Sequence, residues 1–216
     1  MERERKRERE WNENQLEGRN AVLEVLRSGR DIEKILVQKG NVEGTIRRIV
    51  AQAAEKGIVI QETSRRKLDE LSQTKNHQGV IALVSAHAYV EVEDILAAAR
   101  AKGEDPFLIL LDGITDPHNL GAILRTAECV GAHGVIIPKR RSVGLNATVG
   151  KTSAGAVEYM PVARVTNIVK TMEQLKQEGL WFACADMGEN DYFDTNLKGP
   201  IGLVIGSEGD GVSRLV

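Results

Sequence analysis

Read for its alternation of apolar and polar positions, the chain falls into a helix-and-strand series from Gly18 onward. NAVLEVLRSG has helical apolar spacing and is closed by Gly29, and IEKILVQ then reads as a strand. A second helix is predicted from about Glu43 to Lys56, ended by Gly57. IVIQET supplies a short strand, SRRKLDELSQ a short helix, and VIALVSAHAYV, introduced by Gly79, a long β-rich run. These elements define a small α/β domain over residues 14–90, and EVEDILAAARAKGED, 91–105, reads as a polar-faced helix with a Gly-containing linker. The first residues, 1–13, alternate charge without apolar partners and read as a solvated tail.

The pattern changes at Pro106. FLILLD is a near-continuous apolar run, as expected of a strand buried on both faces of a parallel sheet. A helix from Leu120 to Val130, the strand GVIIP, a Gly/Ser-rich stretch read as a loop, YMPVARV, a helix from Asn167 to Glu178, WFACAD and IGLVIG continue the alternation. The fold class is α/β with a mainly parallel sheet over 106–216. Ligands of such sheets sit beyond the carboxyl ends of strands, so the loops after Leu111, Ala185 and Ile205 are the candidate sites.

Composition narrows the function classes. No apolar run approaches the roughly 20 residues a bilayer span requires, and the N-terminus is charged, so a cytoplasmic protein is expected. Cys129 and Cys184 lie in apolar stretches and read as buried free thiols; His77, His87, His118 and His133 show no metal-ligand spacing, so no metal is expected. The net charge is −2; residues 106–216 carry 10 Lys/Arg against 12 Asp/Glu, and the rest of the chain carries 19 of each. A nucleic-acid face must therefore come from local clusters such as Arg65-Arg66-Lys67 and Lys139-Arg140-Arg141, which also suit an ordinary solvated surface.

Two stretches carry candidate chemistry. In DGITDPHNLGAILRTAECVGAHGVII, 112–137, a buried strand ends in a turn and a helix bearing Asn119, Gly121 and Arg125. Six residues separate Asn119 from Arg125, so they converge on one crevice only if Asn119 caps the helix. The plainer reading is a capping Asn119 and an Arg125–Glu128 surface pair. In GPIGLVIGSEGDGVSRLV, 199–216, a buried strand runs into glycines that let a backbone approach a ligand. The order G-x-x-G-x-G at this position is not the dinucleotide fingerprint G-x-G-x-x-G, which disfavours a nicotinamide cofactor.

The first stretch resembles a signature of the SpoU/TrmH (SPOUT) family of RNA ribose 2′-O-methyltransferases, D-x-x-x-x-P-x-N-x-G-x-x-x-R. The second resembles that family's V-x-G-x-E-G-x-G. LEGRNAVLEVLRSGRDIEKILV and NHQGVIALVS are similar to the small ribosomal-protein-like RNA-binding domain that precedes many such catalytic domains. The resemblance implies Asn119, Arg125 and Glu208 as catalytic residues, with Ile205, Gly206, Ser207, Gly209 and Gly211 around S-adenosylmethionine (AdoMet). It places Lys151 and Ser153 in a family segment where, with Thr152 and Gly155, they suit RNA phosphate, and Arg19, with Arg140 and Arg141 of the basic cluster, completes the RNA-contact candidates. The pattern lies nearest to enzymes that methylate a guanosine of large-subunit (23S) ribosomal RNA, expected to be homodimers. Relatives acting on tRNA share both signatures.

Members of the family continue into a third signature, I-P-M-x-G followed by S-L-N, and the sequence stops at Val216 before it. On the family pattern that segment supplies a Ser, an Asn, part of the adenine site, the knot and part of the dimer interface. Two expectations stand: a methyltransferase whose chain continues, or a non-catalytic RNA-binding fragment or assembly factor.

Overall fold

The computed structural model describes residues 13–40, 44–187 and 192–216. They divide into two compact units, one up to Val84 and the other from Ser85.

The first unit runs β1 (Gln15–Glu17), α1 (Arg19–Ser28), β2 (Ile32–Gln38), α2 (Gly44–Glu55), β3 (Ile60–Thr63), α3 (Arg65–Leu71) and β4 (Val80–Val84). Its four strands lie in the order β1-β4-β2-β3, with β2 and β3 parallel and the other pairs antiparallel. Successive side chains of a strand point to opposite faces, and the burial follows. Ile35, Val37, Val80 and Ala82 pack with Val22 and Leu26 of α1 and Ile46 and Ile49 of α2, whereas Leu36 and Ile81 meet Leu68 of α3 on the other face. Gly29, at φ 77°, stops α1 in the left-handed conformation that glycine tolerates. The expected start of α2 at Glu43 and most of the charged tail lie outside the described residues.

The expected β run from Val80 to Val90 is shorter in the structure. The strand ends at Val84 because the next residues change partners: Ala86 N–H donates to the Leu145 carbonyl at 2.8 Å and Val90 N–H to that of Val162 at 2.9 Å. Tyr89 accepts a hydrogen bond from Leu145 N–H at 3.0 Å and lies under the Arg164 guanidinium. By contact the two units part at Val84/Ser85, and residues 85–90 pack with the second unit. Residues 91–105 hold the expected helix, α4 (Val92–Lys102), whose Ile95, Leu96 and Ala99 are buried in the second unit. Only one narrow stripe of that helix is apolar, which is why its sequence reads as polar-faced.

The second unit continues β5 (Phe107–Leu111), α5 (Pro117–Cys129), β6 (Gly134–Pro138), α6 (Ala147–Thr152), a 3₁₀ turn Ala156–Glu158, β7 (Val162–Val165), α7 (Ile168–Gln177), β8 (Trp181–Ala185), a second 3₁₀ turn Tyr192–Asp194 and β9 (Ile201–Ile205). All five strands are parallel, in the order β7-β6-β5-β9-β8. Leu108, Leu110 and Ile136 face α4 and α7; Ile109, Leu111, Val135 and Ile137 face α5 and α6. The central strands are covered on both faces, as their apolar runs require.

Three local expectations change. Helix α5 begins three residues earlier than Leu120, because Asp116 caps it and Pro117 sets its first turn. The Gly/Ser-rich stretch is not wholly loop: Asn146 accepts from Thr148 N–H and Val149 N–H, both at 3.0 Å, and starts α6. Cys129 and Cys184 are exposed rather than buried, the first at the end of α5 and the second near the end of edge strand β8. Among the described residues no helix is long and apolar enough to cross a membrane.

Candidate active site

A parallel sheet sets all strand carboxyl ends on one edge, and the order β5-β9-β8 brings the three loops after Leu111, Ile205 and Ala185 side by side. The chain leaves β5 toward β6 on one side, while β9 and β8 lie on the other. The crevice between β5 and β9 is thus a topological switch point, where open α/β sheets take their ligands.

The loop after β9 is a tight glycine turn. Ser207 N–H donates to Gly211 O at 3.0 Å and Gly211 N–H returns a bond to Ser207 O at 2.9 Å, while the Ser207 hydroxyl accepts from Asp210 N–H at 3.2 Å. A Cβ at position 206 would overlap the Gly211 carbonyl and the Val212 nitrogen, so only glycine fits there. Gly211, at φ 67°, approaches Asp186 of the third loop, whose Oδ1 would lie 3.7 Å from a Cβ at 211. Ile205, Gly206, Ser207 and Gly211 are half-buried, and Glu208 and Gly209 are exposed. Although Cys184 is an exposed residue, partial burial of its thiol pushes its pKa up first, then the charges of Asp186 and Asp112.

Asn119 is not the cap. The Asp116 carboxylate accepts from His118 N–H at 2.8 Å, and Asn119 is the third residue of α5, half-buried. Six helical residues turn about 600° and rise about 9 Å, so Arg125 stands on a different face and farther from the strand ends. It is exposed and makes no ion pair with Glu128 among the described residues. The structure does not join Glu208 to Arg125 by a hydrogen bond either.

Helix α6 braces the start of α5. The Thr152 hydroxyl donates to Pro117 O at 3.1 Å, and a Cβ at Gly121 would overlap Thr152 and crowd Ser153 N. Lys151 is exposed, but Ser153 is fully buried with its hydroxyl donated to Gly150 O at 3.1 Å; its residue type suits phosphate while its position does not. Arg140 and Arg141 are exposed beyond the carboxyl end of β6, Arg141 at φ 57°. In the first unit Arg19 opens α1, its Nε donating to Gln78 O at 3.3 Å and its N–H to Gln78 Oε1 at 3.2 Å.

Sequence reasoning gave no role to Asp112, Asp186 or Ser213. Their contacts depend on which strands become neighbours; for Asp112 the available signals were its position at the end of a buried apolar run and its place as the first residue of the signature quoted above.

An α/β domain with a glycine-lined crevice at its switch point, preceded by a separate small α/β unit, defines a class of two-unit ligand-binding proteins. Comparison with known proteins makes it particular. Residues 106–216 match the SpoU rRNA Methylase family, and residues 15–90 match the family described as RNA 2′-O ribose methyltransferase substrate binding. The Bacillus subtilis (strain 168) protein YacO, named as a TrmH family tRNA/rRNA methyltransferase, is 48% identical over 201 residues, covering 92% of this chain and 80% of that protein. A TrmH family relative from Staphylococcus haemolyticus (strain JCSC1435) is 45% identical over 200 residues, with the same coverage of 92% and 80%. Two solved structures share the fold. The SpoU methyltransferase AviRb from Streptomyces viridochromogenes, solved with AdoMet, has a TM-score of 0.52 at 20% identity, covering 92% of this chain and 74% of its own. An rRNA methyltransferase from Sinorhizobium meliloti has a TM-score of 0.52 at 22% identity, covering 94% and 74%. The chain belongs to the SpoU/TrmH family of RNA methyltransferases.

Proposed function

We propose that this protein methylates a ribose 2′-oxygen of RNA from AdoMet, with a guanosine of 23S ribosomal RNA as its substrate. The observation carrying the reading is the glycine turn 206–211 at the β5/β9 switch point. Gly206 admits no side chain because the turn folds its own backbone at Gly211 and Val212 against it, and a Cβ at Gly209 would meet nothing within 4 Å. A compact glycine turn of this kind suits the close approach of an adenosyl group. Ile205, Gly206, Ser207, Gly209 and Gly211 would hold the cofactor, which supplies an electrophilic methyl group when bound.

The chain's own residues orient the other reactant. In-line transfer depends mainly on holding oxygen and methyl carbon in attack geometry. Asn119, near the crevice end of α5, is suited to hydrogen-bond the ribose. A guanidinium keeps its proton and is a poor base, so the role that fits exposed Arg125, on a helix face away from Asn119, is to hold RNA phosphate. Glu208 orders the pocket through its own turn rather than through Arg125. Arg140, Arg141 and Lys151 form the phosphate-contacting rim of the second unit, and Arg19 acts in the first. A homodimer is the proposed assembly, to be checked by sedimentation.

The test is methylation of 23S ribosomal RNA and of tRNA with methyl-labelled AdoMet, followed by nucleoside mass spectrometry. 2′-O-methylguanosine in 23S RNA is the expected product. Label in tRNA alone would replace the substrate, a reading favoured by the tRNA/rRNA naming of the relatives. RNA binding without transfer would favour the non-catalytic reading. Arg125→Lys is expected to lower kcat by about 10-fold to 100-fold while retaining measurable turnover, because the ammonium keeps charge but loses the fork of donors.

A further inference from the structure

The loops after β5 and β9 come from strands that are distant in sequence, and glycine freedom alone does not fix their separation. Asp112 joins them. Its N–H donates to Ile205 O at 2.9 Å, and its Oδ2 accepts from Ser213 N–H at 2.8 Å. The first bond adds a rung to the β5–β9 ladder, and the second reaches the chain leaving the glycine turn. Between these ties lies the Ser207–Gly211 exchange, so the turn is bound at its entry, neck and exit. Gly113, at φ 77°, brings the backbone so near that a Cβ there would stand 3.4 Å from that of Ser207.

We propose that Asp112 is a positioning residue for the cofactor turn: its carboxylate clamps the exit at Ser213 against the end of β5, setting the spacing of Gly206, Gly209 and Gly211. The role rests on the AdoMet reading above and adds to it a residue outside the glycine turn. The clamp uses one oxygen of Asp112 as a hydrogen-bond acceptor. An amide oxygen offers the same acceptor, whereas a methyl offers none. Asp112 also sits within electrostatic reach of Cys184, on which Asp186 acts as well, so removing its charge relieves acidic crowding at that corner.

The experiment compares the 216-residue protein with Asp112→Ala, Asp112→Asn and Ser213→Pro, measuring AdoMet affinity by calorimetry and amide exchange over 206–213. Asp112→Ala is expected to weaken AdoMet roughly 10-fold, the scale of one lost hydrogen bond to a charged acceptor, and to speed Ser213 amide exchange. Asp112→Asn is expected to stay within about 3-fold of the parent protein, with Ser213 still protected. Ser213→Pro removes the donor instead of the acceptor, should weaken AdoMet as Asp112→Ala does, and keeps the proposal testable if the alanine variant does not fold. Unchanged affinity in Asp112→Ala would overturn the proposal. So would an Asp112→Asn variant as weak as alanine with Ser213 still protected, since charge rather than the clamp would then be responsible. If the parent protein binds no AdoMet, the cofactor reading falls on its own, and exchange still decides whether Asp112 holds the turn.

Discussion

Glu17 shows how much order one carboxylate can impose. It accepts from the Ser72 and Thr74 hydroxyls, from Gln73 N–H at 2.6 Å and from Gln15 Nε2 at 2.7 Å, fastening the segment that connects α3 to β4. Burial works against its charged form, but these bonds outweigh it and lower the pKa from 4.5 to about 2. A carboxyl whose pKa is depressed on folding contributes its full stability above the unfolded value and loses it as pH falls toward the folded one. Urea unfolding of the parent protein should lose about 1–2 kcal/mol between pH 5 and pH 3, discounted for solvent screening, and Glu17→Gln should flatten that loss. None of this was legible in the sequence, where Glu17 is one acid among many and Ser72, Gln73 and Thr74 lie more than fifty residues away. Asn119 is the opposite case: a plausible cap from its residue type, displaced because Asp116 with Pro117 is a better-formed start.

Elements with a strong period were read nearly to their ends, and those defined by contacts were not. Helices α1 and α7 and the central strands follow from apolar spacing alone. Strand β1 is three residues long and exists because β4 pairs with it, Leu16 opposite Ala82. Helix α6 is six residues, contains a glycine, and is held by its Asn146 cap and its contact with α5. That contact depends on the absence of a side chain at Gly121. Gly121→Ala would ordinarily favour a helix, yet here it should destabilise by about 1–3 kcal/mol, because Thr152 and the backbone at Ser153 must move. Thermal unfolding beside an alanine substitution at exposed Thr126 would separate the clash from ordinary helix propensity.

The two cores share no residue: one is built from positions up to Val84 and the other from Tyr89 onward. Ile49→Ala, in a fully buried site of the first unit, should cost about 2–5 kcal/mol and lower one calorimetric transition while leaving the other in place. A single transition shifted as a whole would show that the units unfold together. The two-unit organisation and the parallel sheet were legible because each unit has its own hydrophobic rhythm. The change of partners after Val84 was not legible, because residues 85–90 continue the apolar rhythm of β4 while their hydrogen bonds go to the second unit.

The sheet order also sets a timetable. β9, the last of the described strands, occupies the place between β5 and β8. As the polypeptide leaves the ribosome, β5 and β8 each keep an unpaired edge until Ile201–Ile205 arrives to join them. Pairing β5 with a strand more than ninety residues away raises contact order, and long-range parallel pairing is slow. The Asp112–Ser213 tie closes only after that insertion. The glycine turn is therefore fastened only once β9 is in place, and until then the half-built sheet is the surface most exposed to aggregation.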